Sequence, residues 1–163
     1  LLVLMVAYGA YYFTLWATPR AVLLSLKFKA KSELNTPFYN DVVTDRDRMV
    51  ALPNPDFLYV AMGYDIRSSD LILSGKMPDS TYYSMALYDT DTRNYFRVND
   101  RQCPDKAFNY RLTKQKTESE DRKPIIVAST PVGFLLIRIL ITDPSQVEYL
   151  KEIQQSFTVE KVE

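Results

Sequence analysis

The hydrophobic pattern of this 163-residue chain changes character three times. Residues 1–17, LLVLMVAYGAYYFTLWA, carry no charge, so neither a helical nor a strand period separates an inward face from an outward one. A segment apolar on every side must meet a protein interior or lipid. As an α-helix it spans about 25 Å against a hydrocarbon core of roughly 30 Å, and Trp16 falls where an amphipathic ring favours the headgroup layer. Thr18-Pro19 then reads as a helix restart, a capping hydroxyl followed by the residue best tolerated at the first helical position. Over 18–32 the stripe Val22, Leu23, Leu26 and Ala30 lies beside Lys27 and Lys31, which predicts a basic amphipathic juxtamembrane helix.

Between 33 and 56 the pattern dissolves into polar, Pro-punctuated sequence with the charge cluster Asp45, Arg46, Asp47 and Arg48, the signature of a linker or of a loop laid over a domain. From 57 to 163 the chain reads as a β-rich globular domain. Short runs rich in aromatic and branched residues, separated by turn residues, predict strands at Phe57 to Asp65, Leu71 to Lys76, Tyr82 to Tyr88, Tyr95 to Val98, Ala107 to Leu112, Ile125 to Ala128 and Phe134 to Ile141. The last of these, FLLIRILI, is the most hydrophobic and is expected at the centre of a sheet. The charged stretch Thr113 to Lys123 predicts an exposed hairpin loop. Asp143-Pro144 caps a helix to about Gln155 with Val147, Leu150 and Ile153 facing inward, and Phe157 to Val159 closes an edge. The fold class expected is mainly β: an N-terminal transmembrane helix, then an antiparallel β-sandwich or jelly-roll-like domain with a C-terminal helix.

Charge sharpens the division. The formal net charge is zero, yet all 20 acidic residues lie from Glu33 onward. Arg20, Lys27, Lys29 and Lys31 leave the first 32 residues at +4, and the other sixteen cations against twenty anions leave the remainder at −4. A mildly acidic domain lacks the basic face that phosphate backbones require, which argues against nucleic acid, whereas a basic collar beside a membrane suits anionic headgroups. The chain has no histidine, which excludes a Ser-His-Asp triad and His-ligated zinc, iron or haem. A lone Cys103 builds neither an internal disulfide nor an Fe–S site and reads as a packed thiol. Four glycines, at 9, 63, 75 and 133, allow no P-loop or dinucleotide fingerprint. No cofactor and no catalytic or metal residue is assigned.

Three groups of side chains remain as candidates. Arg138 stands alone in an apolar strand and predicts a structural ion pair with Asp65, Asp89 or Asp56. Asp89 and Asp91 lack the ligand set of a calcium loop and read as a tight turn. Tyr82, Tyr83, Tyr88 and Tyr95 read mainly as packing residues. On the anchor, Tyr8, Tyr12 and Trp16 form an aromatic stripe separate from the small residues Ala7, Gly9, Ala10 and Ala17, so Tyr8, Gly9, Ala10, Tyr12, Trp16, Arg20, Lys27 and Lys31 are the expected membrane or partner contacts.

Asn54-Pro55-Asp56-Phe57-Leu58-Tyr59, Asp65-Ile66, Met77-Pro78-Asp79, Tyr82 to Asp89, Asn94 and Asn99-Asp100-Arg101 together resemble the domain of unknown function 1254 family, in its short, membrane-anchored bacterial branch. The resemblance runs from about Arg48 to Ile153. Longer members usually carry Thr where this chain has Phe57, so no site is carried over there. The resemblance implies a jelly-roll-like domain held outside the cytoplasm and implies no established reaction. The collar alone would place the domain in the cytoplasm by the positive-inside rule, and the expectation adopted here, a periplasmic or other extracytoplasmic domain, follows the resemblance. The function expected is that of a non-catalytic single-pass membrane protein, an accessory subunit whose partners are membrane lipids and the transmembrane subunits of a larger complex. The alternative is an extracytoplasmic small-ligand-binding protein or a carboxylate-based enzyme with a pocket near Asp65, Asp89 and Arg138.

Overall fold

The computed structural model describes residues 1–30, 33–42, 54–103, 105–115 and 123–162, with backbone alone over 23–30. Helix α1 runs unbroken over Leu2–Ala30, about 43 Å, so Thr18-Pro19 is not the restart that its sequence predicts. Proline removes one helical N–H, but the neighbouring carbonyls receive side-chain donors. Thr14 and Thr18 hydroxyls donate to Ala10 and Thr14 carbonyls at 2.8 Å each, and Arg20 Nη1 donates to the Trp16 carbonyl at 2.7 Å. Residues 18–30 therefore continue the apolar helix without a break. Residues 1–16 are exposed, and the stretch Leu2–Val22 is long and apolar enough to cross a membrane.

The domain is a two-layer β-sandwich. Strands β1 (Phe38–Tyr39), β2 (Phe57–Asp65), β8 (Val132–Leu140), β4 (Tyr83–Tyr88) and β5 (Asn94–Asn99) form one sheet in that order. Strands β7 (Ile125–Val127), β6 (Ala107–Thr113), β3 (Asp70–Lys76) and β9 (Thr158–Val162) form the other. The apolar segment around Phe134 is central, as expected, with β2 and β4 antiparallel on either side. Strand β1 lies inside the predicted linker and extends the first sheet beside Val60 and Ala61. The expected hairpin after Thr113 is not one, because β6 and β7 pair in parallel and their connection must cross over. Most of that connection, 116–122, lies outside the described residues, as does the Asp45 to Arg48 cluster.

Alternation along β2 and β8 sends Leu58, Val60, Met62 and Tyr64, with Leu135, Ile137 and Ile139, into the space between the sheets. Leu71, Leu73, Phe108, Leu112 and Ile126 meet them from the second sheet, and Leu150, Ile153 and Phe157 close one side. Asp143 Oδ1 accepts the Ser145 N–H at 2.8 Å, opening a 3-10 turn (Pro144–Gln146) that leads into α2 (Val147–Gln155). The buried Gln154 amide of α2 donates to the Asn40 and Tyr59 carbonyls at 2.9 and 2.8 Å, so the helix is fixed to the edge that β1 and β2 share.

Candidate functional site

The strands end at two poles, and each pole gathers a different set of polar groups. At one, the β3–β4 loop and the end of β5 enclose an open cleft of about 580 Å³ lined by Asp79, Ser80, Thr81, Tyr82, Asn99, Asp100 and Arg101. Local hydrogen bonds hold its walls. Thr81 Oγ1 donates to the Leu140 carbonyl at 2.8 Å, the Asp100 N–H to the Tyr83 carbonyl at 3.1 Å, and the Arg101 N–H to Asn99 Oδ1 at 3.1 Å. Asp100 Oδ1 is buried without a partner, and so is the hydroxyl of Ser84, which lies opposite Asn99. Two carboxylates, a guanidinium and a phenol around one concavity suit a polar ligand or a peptide carrying both amide donors and charge. Among the described residues no three His, Cys, Asp or Glu side chains cluster as metal ligands.

The other pole joins the domain to α1. Asp89, 4% exposed, closes the β4–β5 turn by accepting the N–H groups of Asp91 and Arg93, both at 2.9 Å, with Thr92 at a left-handed φ of 62°. This is the tight turn that the sequence predicts. Its Asp91 pairs with Arg93 at 2.7 Å and with Arg20 of α1 at 3.0 Å, while the Arg20 guanidinium also stacks 4.5 Å above the Trp16 ring. Beside it Asp65 pairs with Arg67. Inside the pole, Tyr95 donates to the Tyr64 hydroxyl at 2.9 Å, which in turn faces the Tyr88 carbonyl at 3.3 Å. Burial pushes the Tyr64 and Tyr95 phenols up, and it does the same to Tyr83 in the core.

The predicted grouping of Arg138 with Asp65 and Asp89 does not form. Arg138 stands on the outer face of β8, partly exposed, between Tyr59 and Ser84 in register. Asp65 lies six residues along β2 from Tyr59 and Asp89 five residues along β4 from Ser84, roughly 16–20 Å away. Period-two alternation decides this: the strand is apolar, but its even positions face outward, so the guanidinium escapes burial. Asp56 is exposed near the opposite end of β2. Of the four tyrosines, Tyr83 is in the core, Tyr95 is in the hydroxyl chain, Tyr88 is half-buried and Tyr82 lines the cleft. Cys103 is buried with its thiol on the Ala107 carbonyl at 3.2 Å, and burial pushes its pKa up. On the anchor, Tyr8, Tyr12 and Trp16 are 66%, 52% and 57% exposed, and a Cβ on Gly9 would meet nothing within 4 Å. The side chain of Lys27 and the whole of Lys31 lie outside what is described.

Sequence reasoning missed both the cleft and the Arg20–Asp91 contact. The cleft had a signal, since the Pro78-Asp79 turn and the Asn99-Asp100-Arg101 segment are polar turns flanking β4 and β5. Nothing local couples Arg20 to Asp91.

No curated protein matches the chain. Two crystal structures share the fold. One, from Vibrio parahaemolyticus, is 12% identical with a TM-score of 0.65, over 88% of this chain and 36% of that one. The other, an uncharacterised protein from Burkholderia cenocepacia, is 15% identical with a TM-score of 0.55, over 94% and 42%. This chain thus spans well under half the length of either. The profile described as "Protein of unknown function (DUF1254)" matches residues 34–161, from the turn before β1 through β9, and with that match the chain belongs to the DUF1254 family.

Proposed function

We propose that the protein is a single-pass membrane protein whose extracytoplasmic β domain acts without catalysis as an accessory subunit of a larger membrane complex. The observation that carries the reading is the state of α1. Residues 1–16 are exposed, and among the described residues no other element covers them. Association between helices in lipid depends on close packing and hydrogen bonding, and α1 offers an open small-residue patch at Gly9 and Ala10 beside the Tyr8–Tyr12 ring pair, whose centroids are 4.5 Å apart. The cleft lies at the pole remote from Arg20, where a partner's extramembrane part can reach it.

The test is the double substitution Gly9→Leu and Ala10→Leu, read by native electrophoresis after extraction in mild detergent. The wild-type chain should migrate in an assembly larger than itself and the variant as a free chain with an intact β domain. A wild-type chain that is always monomeric refutes the reading. A second reading, binding of a small polar ligand, is favoured by the unpartnered Asp100 Oδ1 at the cleft. Thermal-shift screening of Asp100→Asn against wild type with small cationic and amide ligands tests it, and equal responses refute it.

A further inference from the structure

We propose that the pole built from the β2–β3 and β4–β5 turns is a binding surface for anionic lipid headgroups and lies flat on the bilayer. The inference rests on α1 being a membrane span. Depth is set by Arg20, which lies near the end of the Leu2–Val22 span and bonds Asp91 at 3.0 Å, so the β4–β5 turn stands where the helix leaves the hydrocarbon. Exposure agrees: residues 1–16 are exposed, whereas Ala17, Pro19 and Arg20 are partly covered.

The pole is one connected surface. The Thr90 N–H reaches the Thr130 hydroxyl at 3.2 Å, the Ile66 N–H the Pro131 carbonyl at 2.9 Å, and Lys114 Nζ the Arg67 carbonyl at 2.9 Å. Its cations stand outermost. The Arg67 side chain is 68% exposed above Asp65 at 15%, and Arg93 is 73% exposed above Asp89 at 6%. A flat anionic surface therefore meets guanidinium groups before it meets carboxylates. Asp65 takes the Nε and Nη2 edge of the Arg67 guanidinium, and Asp89 and the partly exposed Asp91 face Nε and Nη2 of Arg93, which leaves Nη1 of each for phosphate oxygens. A partly exposed pair such as Arg20–Asp91 is too weak to hold a domain against the bilayer by itself, and headgroup contacts supply the rest. One basic side chain at an anionic surface shifts the docking equilibrium about fivefold; with carboxylates beneath two of the three, about tenfold is expected for Arg67, Arg93 and Lys114 together.

The experiment uses the full chain in nanodiscs of phosphatidylcholine with or without phosphatidylglycerol, each containing a headgroup-attached quencher. A dye is placed at Ser68→Cys, beside Arg67, or at Ser80→Cys, in the distal cleft, with buried Cys103 left in place. Quenching at 68 should exceed quenching at 80 and should rise with phosphatidylglycerol, and Arg67→Ala, Arg93→Ala and Lys114→Ala together should remove that rise. If circular dichroism shows the triple variant unfolded, Lys114→Glu alone, on an exposed side chain, must reduce the rise. Equal quenching at the two positions, or no dependence on anionic lipid, overturns the proposal. A chain that is stripped from vesicles by carbonate fails the membrane-span reading instead, and that measurement is made first.

Discussion

Gly133→Ala isolates the packing at the pole that meets α1. Gly133 is directly opposite Tyr64 in the β2–β8 register, and the Tyr64 ring lies across it. A Cβ there would sit 2.2 Å from the Tyr64 hydroxyl oxygen and 2.3 Å from the Tyr88 carbonyl oxygen. Ordinary van der Waals contact begins near 3.4 Å, so both groups must retreat by roughly 1 Å. The carbonyl belongs to a paired strand and cannot retreat alone. The phenol can, but only by disturbing its 2.9 Å bond with Tyr95 and its 3.3 Å bond to the Tyr88 carbonyl. Overpacking of this kind costs about 1–3 kcal/mol and the lost hydrogen bonding a further ~1–3 kcal/mol. We expect a net loss of about 3–5 kcal/mol, a large share of the ~5–15 kcal/mol that stabilises a typical domain. The assay is urea unfolding of the full chain in detergent micelles followed by near-ultraviolet circular dichroism. Gly63→Ala is the internal comparison, since its Cβ would meet only the flexible end of Leu34 at 3.0 Å, and it should stay within about 1 kcal/mol of wild type. A Gly133→Ala variant no less stable than Gly63→Ala would refute the reasoning.

Arg138→Leu should change stability by no more than about 0.5 kcal/mol in the same assay, because the guanidinium has no carboxylate within 4 Å among the described residues; a loss above 3 kcal/mol would mean a buried partner. In an alkaline titration followed by ultraviolet absorbance, Tyr64, Tyr83 and Tyr95 should ionise only as the domain unfolds. Their folded pKa values are raised by burial, so the stability they confer is present below the unfolded tyrosine pKa and is lost as pH rises beyond it. The Asp41 pKa is lowered, first by its hydrogen bond with Lys151 and then by a backbone N–H. Its contribution therefore stands above the unfolded carboxylate pKa and disappears as pH falls through the lower folded value, which a carboxyl-carbon titration by NMR, compared with Lys151→Met, will show. Membrane anchoring predicts that the full chain partitions into the detergent phase on cloud-point separation, and recovery in the aqueous phase would remove α1 as a span.

What the sequence by itself determined was whatever depends on neighbours a few positions away. The unbroken apolar run was enough to identify α1, the short aromatic and branched runs at Phe57 to Asp65 and from Phe134 were enough to identify β2 and β8, and Asp143-Pro144 was enough to start the C-terminal helix, because residue preference, capping and solvent preference are local properties. Even the tight turn at Asp89 was legible, since a short carboxylate can satisfy N–H groups two and four residues onward. Only the tertiary structure decided which face each strand presents and what lies across from it. Arg138 looked buried because its neighbours in sequence are apolar, yet sheet order placed it on the outer face and placed Asp65 and Asp89 at the far end of the adjoining strands. The parallel β6–β7 pair, the cleft walled by Asp79 and Asp100, and the bond from Arg20 to Asp91 all join segments distant in sequence. Such contacts are fixed by register and by the closing of one sheet over the other, a choice made by the whole buried core at once and carried by no single segment.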